Sequence, residues 1–261
     1  MNSVKKGDTS ERSDFKEKLA INKIEEASKP TKLKHAILIH NQTMAAVANF
    51  HQLYVDSQKS TTGSATHDKQ DLLRAMLLFA CSGLDAVVKQ LIQDTLEIVL
   101  RHDEGAQREF KKFAERRLKK TSTIDDRDRG TTGQNSPDVS FLAELLVSFD
   151  PRSLLISTLT NTLVSDSLQS RDQLLKVATH FALTRDEVMV NDKITKEAFD
   201  ARNQIAHEMD VDLQNGEGRR DRDYATMVRW SENIAEVSRS FIEKAAGKMQ
   251  TTRGDPEQGQ V

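Results

Sequence analysis

Apolar positions recur along this chain at three- and four-residue steps, the spacing that lines one face of an α-helix. Over residues 31–56, Leu33, Ile37, His40, Met44, Val47 and Tyr54 keep this rhythm and predict a first core helix. Residues 57–69, SQKSTTGSATHDK, read as a loop rich in Ser, Thr and Gly. Residues 70–101 predict a long central helix. Its Leu72, Leu73, Ala75, Met76, Leu77, Leu78, Phe79, Leu84, Val87, Val88, Leu91, Ile92 and Leu96 cover most of the circumference. A helix apolar nearly all round is buried on more than one side. At 1.5 Å rise per residue this one would run on the order of 45 Å, the spine of a bundle.

Residues 105–120 predict a basic helix with Phe110, Phe113 and Leu118 turned inward. Residues 121–138, with Gly130, Gly133 and Pro137, read as a mobile loop. Shorter helices are expected at Phe141–Ser148, Ser153–Val164 and Arg171–Ala182, with Asp186–Val190 continuing the last. Two longer ones follow, over 192–210 and 224–247, separated by a polar turn over 211–223. The final helix points Met227, Ile234, Val237, Phe241 and Ile242 inward and is expected to stop at Gly247. The expected fold is therefore all-α, an antiparallel helical bundle with a long central helix and a helical insertion. One domain spans 31–247, with 105–190 as its helical elaboration. A polar, flexible segment precedes it over 1–30 and a flexible tail follows over 248–261.

Composition agrees with helices. Hydrophobic residues make up 37% and charged residues 30%, while aromatics are 5% and prolines number 4. A sandwich or barrel would use more of the last two. The formal charge is −2, so any nucleic-acid contact must come from a local patch rather than a global field. The single cysteine, Cys81, lies in an apolar run; it can form no internal disulfide, and a reducing compartment is the simpler assumption. Residues 1–29 are charged and lack the apolar centre of a secretory signal. The longest apolar run, Ala75–Leu84, is about half of what a bilayer span needs. A cytoplasmic protein without a membrane anchor is expected.

The helix over 192–210 carries the candidate chemistry. At about 100° per residue, Ile194, Ala198, Ala201, Ile205 and Met209 share a narrow sector and form its core stripe. Asn203 and His207 are one turn apart and stack on the opposite side. Arg202 lies between the two sides, about 140° from His207. A second apolar strip, Phe199 and Ala206, lies between Arg202 and His207, and suggests that this face is covered by another subunit. By itself, an Arg five residues before a His is a common accident on a solvated helix.

The wider string ARNQIAHEMD resembles the signature of the HEPN superfamily: an Arg, four to six residues and a His, with a polar residue, often Asn, after the Arg. The placement is similar too, since the motif helix is followed by a polar loop and a closing amphipathic helix. DLLRAMLLFACSGLDAVVKQL looks like the long apolar helix of RiboL-PSP and MAE_28990-like HEPN proteins, and SLQSRDQLLKVATHFAL like another of their segments. The resemblance covers about residues 31–247, with specificity in the motif. It implies a helical bundle that forms a homodimer with two motifs at a shared cleft. It further implies metal-independent RNA cleavage without cofactors, with Arg202, Asn203 and His207 as the catalytic set. Such proteins often act as toxins or anti-phage effectors, with an antitoxin or defence partner and transfer RNA as one substrate class. Some HEPN modules are not catalytic and serve in dimerisation, scaffolding or nucleotide sensing. Toxins regulated by modification of a Tyr two residues after the His are a poor match, because that position is Met209.

The residue types suit the chemistry. RNA brings its own nucleophile, the 2′-OH. Histidine titrates near neutrality and can act as base or acid. Arginine offers fixed charge and a planar fork for phosphate oxygens. Asn203 can orient the imidazole or bind phosphate. Glu208 and Asp210 are auxiliary candidates that could tune His207 or bind a partner's arginine. Lys111, Lys112, Arg116, Arg117, Lys119 and Lys120 form a weaker candidate surface for RNA phosphates, alongside the plainer reading of a solvated helix face. His35, His40 and His51 share one helix, but no carboxylate or Cys stands at ligand spacing beside them, so structural roles are expected rather than a metal.

Overall fold

The computed structural model describes residues 15, 23–25, 30–59, 67–119, 138–212 and 218–250. Nine α-helices lie among them. They are α1 (Lys34–Lys59), α2 (His67–His102), α3 (Glu104–Leu118), α4 (Val139–Val147), α5 (Pro151–Ser165), α6 (Arg171–His180), α7 (Arg185–Val188), α8 (Asp192–Glu208) and α9 (Tyr224–Gln250). No strand occurs among the described residues; one isolated antiparallel bridge joins Val211 to Arg219. The all-α bundle with a long central helix is as expected. The expected loop over 121–138 lies outside the described residues except for Asp138, as do most of 1–30 and all of 251–261.

Helix starts follow local chemistry. Asp103, Asp138, Asp150, Ser170 and Asn191 each accept a hydrogen bond from a backbone N–H two or three residues into the helix they precede. That satisfies donors a helix leaves without partners. Thr184 and Glu187 form a capping box at α7.

Helix α2, about 54 Å long by its residue count, packs against α1 and α9 along its length and against α3, α5 and α8 over shorter stretches. Leu73, Met76, Leu77, Leu84, Val87, Val88, Leu91, Ile92 and Leu96 are all buried. The predicted core residues of α1 and α9 are buried as well, from Leu33 to Tyr54 and from Met227 to Ile242. Helix α2 is not enclosed all round, however. Phe79 is half exposed, meeting Phe50 with ring centroids 4.9 Å apart. The apolar run is also longer than expected: the segment Lys69–His102 is long and apolar enough to cross a membrane by composition, and half of its most apolar window is buried in the bundle.

Several boundaries differ from expectation. Helix α1 runs on to Lys59 and α2 starts at His67, both inside the loop expected over 57–69. Helix α6 ends at His180, because Ala182 adopts left-handed backbone (φ 52°), and α7 starts afresh at Arg185 instead of continuing it. Helix α9 runs through Gly247 to Gln250. Nothing lies within 4 Å of a Cβ placed at Gly247, so this glycine neither ends the helix nor serves a close approach.

Candidate functional site

Helix α8 is fixed at its start, along its flank and at its end. Asn191 caps it by accepting from Ile194 N at 3.1 Å. The buried Thr195 hydroxyl accepts from Asn233 Nδ2 of α9 at 2.8 Å, and Glu197 accepts from Trp230 Nε1 at 3.3 Å. The buried stripe is Thr195, Ala198, Phe199, Ala201 and Ile205. This is not quite the predicted stripe: Ile194 is half-buried and Met209 is 67% exposed. The register is rotated by roughly one position because the polar Thr195 is accepted inside through its bond to Asn233. Phe199 therefore belongs to the protomer's own core. The expected second strip of Phe199 and Ala206 does not form a free face; Ala206 alone is exposed.

That rotation also turns Arg202 inward. It is half-buried, its Nε is enclosed without a hydrogen-bond partner, and its charge acts on Cys81 of α2. Burial pushes the Cys81 thiol up to about 12, against the pull of Arg202. This thiol is inert at neutral pH. Arg202 Nη1 donates to Asn203 Oδ1 at 3.0 Å, and Asn203 Nδ2 donates to the Gln169 carbonyl at 2.9 Å. The motif arginine is thus held by its neighbour, and the neighbour by the loop before α6. His207 is exposed and makes no hydrogen bond or ion pair with a described residue. On a continuous helix, five residues still separate Arg202 from His207 by about 140°.

The end of α8 is its least ordinary part. Met209 and Asp210 both take left-handed backbone, with φ of 52° and 59°. Two successive non-glycine residues there cost on the order of 1–3 kcal/mol each. Asp210 is fully buried. Its carboxylate accepts from Arg74 Nε at 2.8 Å and from Arg222 Nε at 3.0 Å, with a further close contact to Arg222 Nη2. Its backbone N–H donates to the Gln204 carbonyl, and its carbonyl accepts from Arg220 N. Arg222 Nη2 also donates to Gln204 Oε1 at 2.8 Å. Arg74, 2% exposed, donates further to Gln70, Asp71 and the Arg220 carbonyl. Burial raises the Asp210 carboxyl, but the two guanidinium groups outweigh it and hold its pKa below the usual carboxylate value.

Both auxiliary candidates have arginine partners within the protomer. Asp210 anchors the helix end to α2, and Glu208 pairs with Arg220 at 3.1 Å. The sequence reading missed Arg74 and Arg222. The signal for Arg74 was present: a charge set between Leu73 and Ala75, at the edge of the apolar run, is drawn into the core and then needs a counter-charge.

The basic helix α3 packs on α2 and α6. Lys112 pairs with Glu109 at 2.7 Å, and Arg117 with Asp138 at 2.8 Å while lying over the Phe141 ring. Lys111, Arg116 and Lys119 stay exposed; Lys120 lies outside the described residues. No group of three or more His, Cys, Asp or Glu side chains gathers among the described residues. His40 pairs with Ser238 at 3.0 Å, His51 with Tyr224 at 2.7 Å, and the exposed His35 lies 3.4 Å from Asp94. No family model, no curated protein and no solved structure matches this chain.

Proposed function

We propose that this protein is a metal-independent endoribonuclease of the HEPN type, working in the cytoplasm as a toxin or anti-phage effector. One observation carries the reading: Arg202 and Asn203 are coupled at 3.0 Å on the same helix that presents an exposed His207 with no hydrogen-bond or ion-pair partner among the described residues. His207 takes the 2′-OH proton or supplies one to the leaving 5′-oxygen. Arg202 stabilises charge on the phosphorane through its remaining guanidinium donors. Asn203 positions Arg202. One protomer's motif holds one imidazole, so a homodimer with two motifs facing each other supplies acid and base together. Residues 206–209, exposed at the end of α8, form the surface through which two copies meet. The products are a 2′,3′-cyclic phosphate and a 5′-OH. Transfer RNA is the first substrate to try, and an antitoxin or defence protein the partner to seek.

The test incubates purified protein with total RNA in EDTA, beside Arg202→Ala and His207→Ala. Wild type is expected to leave cyclic phosphate ends, and each variant to lose about a hundredfold or more. Equal cleavage by all three would remove the site. Cleavage that needs Mg²⁺ and leaves 5′-phosphates would remove the mechanism.

One observation favours a second reading. Arg202 is half-buried with its Nε enclosed, which suits a dimerisation or scaffold module that does not cleave. A stable dimer with no cleavage of any RNA would decide for it.

A further inference from the structure

A cleft of about 530 Å³ opens between the start of α3, the end of α6 and the start of α7. Its volume lies in the range of small-molecule sites. Leu175 and Leu183 give it an apolar floor, while Arg108 and Arg185 bring two guanidinium groups from elements distant in sequence. Glu109 adds one carboxylate. The cleft's inner end is set by a tight approach of α3 to the α6–α7 turn: a Cβ at Gly105 would stand 2.8 Å from the Ala182 Cβ.

The charges around it are unevenly satisfied. Glu109 is paired with Lys112. Arg108, 72% exposed, comes no nearer than 3.9 Å to Glu104, beyond hydrogen-bond reach. Arg185 donates to Asp192, the first residue of α8, but Asp192 also receives Arg171 at 2.8 Å. Arg185 can therefore turn to a ligand without leaving Asp192 bare. In the same turn, His180 Nδ1 is enclosed without a hydrogen-bond partner.

We propose that this cleft binds a small organic phosphate. Its apolar or planar body rests on Leu175 and Leu183, its phosphate is gripped between Arg108 and Arg185, and a donor group faces Glu109. The guanidinium fork matches phosphate oxygens in geometry and charge. The site is distinct from the motif. Asp192 and His207 lie at opposite ends of α8, about 22 Å apart by helical rise. Arg185 also bonds Asp192, the first residue of α8.

Adenosine 5′-monophosphate is the probe, with inorganic phosphate as comparator, measured on the full chain by titration calorimetry and by backbone amide shifts. The expected result is saturable binding of the nucleotide, at least tenfold tighter than inorganic phosphate, with shifts at Gly105, Thr184 and Arg185. Arg108→Ala, at an exposed position, is expected to weaken it at least tenfold, and Arg108→Glu to abolish it. No binding up to about 10 mM, which corresponds to a free energy too small for a built site, would overturn the proposal. So would equal affinity for inorganic phosphate, affinity unchanged in Arg108→Glu, or shifts centred on Arg202 and His207. RNA cleavage is not part of the readout, so the result is independent of the nuclease reading.

Discussion

At the scale of single residues, Asp210 carries the most consequence. It joins the left-handed end of α8 to Arg74, two turns from the start of α2. Removing one partner of a buried pair strands the other charge, which costs about 3–5 kcal/mol. Asp210→Ala is thus expected to lower the unfolding free energy by that order in urea titration. Arg74→Met combined with Asp210→Leu should lose less than the two single changes summed, because Arg74 and Asp210 no longer strand one another, although Arg222, 11% exposed, still loses the carboxylate. A loss in the double variant equal to the sum would contradict the pairing. The fate of the two acidic residues near His207 illustrates what sequence could not show. Both follow the histidine closely, and either could serve it. Their partners, Arg74, Arg220 and Arg222, arrive from 136 positions upstream and 12 downstream.

At the scale of elements, α1 and α2 are in close contact where Gly83 faces Thr43. A Cβ at Gly83 would sit 2.7 Å from the Thr43 Cβ and nearer still to its branches. An interior glycine costs a helix about 1 kcal/mol relative to alanine, so Gly83→Ala would stabilise an isolated helix. Here the contact wins. Gly83→Ala is expected to destabilise the protein by about 1–3 kcal/mol, seen as a lower melting temperature. A rise in melting temperature would show that the two helices separate freely. Element identity was legible in the sequence, since caps and three-to-four spacing act within a few residues. The rotation of α8 was less so. Thr195 takes a core position because Asn233 bonds it, and this one lateral pair moves Phe199 into the core and Arg202 toward α2.

For the whole molecule, acid stability provides the test. His180 is buried, and its pKa is lowered to about 4 by desolvation, partly offset by Glu109 and deepened by Arg116 and Lys176. The unfolded chain takes up this proton near pH 6.5 and the folded one only near 4. Stability is therefore complete above about pH 6.5 and falls as pH drops toward 4, by up to about 3 kcal/mol. His180→Phe should flatten urea midpoints over that window. An unchanged slope would show that His180 reaches solvent. Asp210 acts at lower pH: its depressed carboxyl contributes stability above the ordinary carboxylate range, near pH 4, that is lost as pH falls through its folded value. Midpoints of Asp210→Asn should be less steep below that range.

By itself the sequence determined that this chain is helical, where most helices begin, which face of α1 and α9 is buried and that the motif lies on a helix. Each of these follows from residues within one or two turns of one another. Tertiary structure decided which way Arg202 points, that Phe199 is core rather than interface, and that Asp210 is an anchor. Helical period fixes the angles between residues on one helix but not the absolute rotation of that helix in a bundle. The rotation is set by lateral partners such as Asn233, Arg74 and Arg222, which lie far away in the chain and meet α8 only after folding.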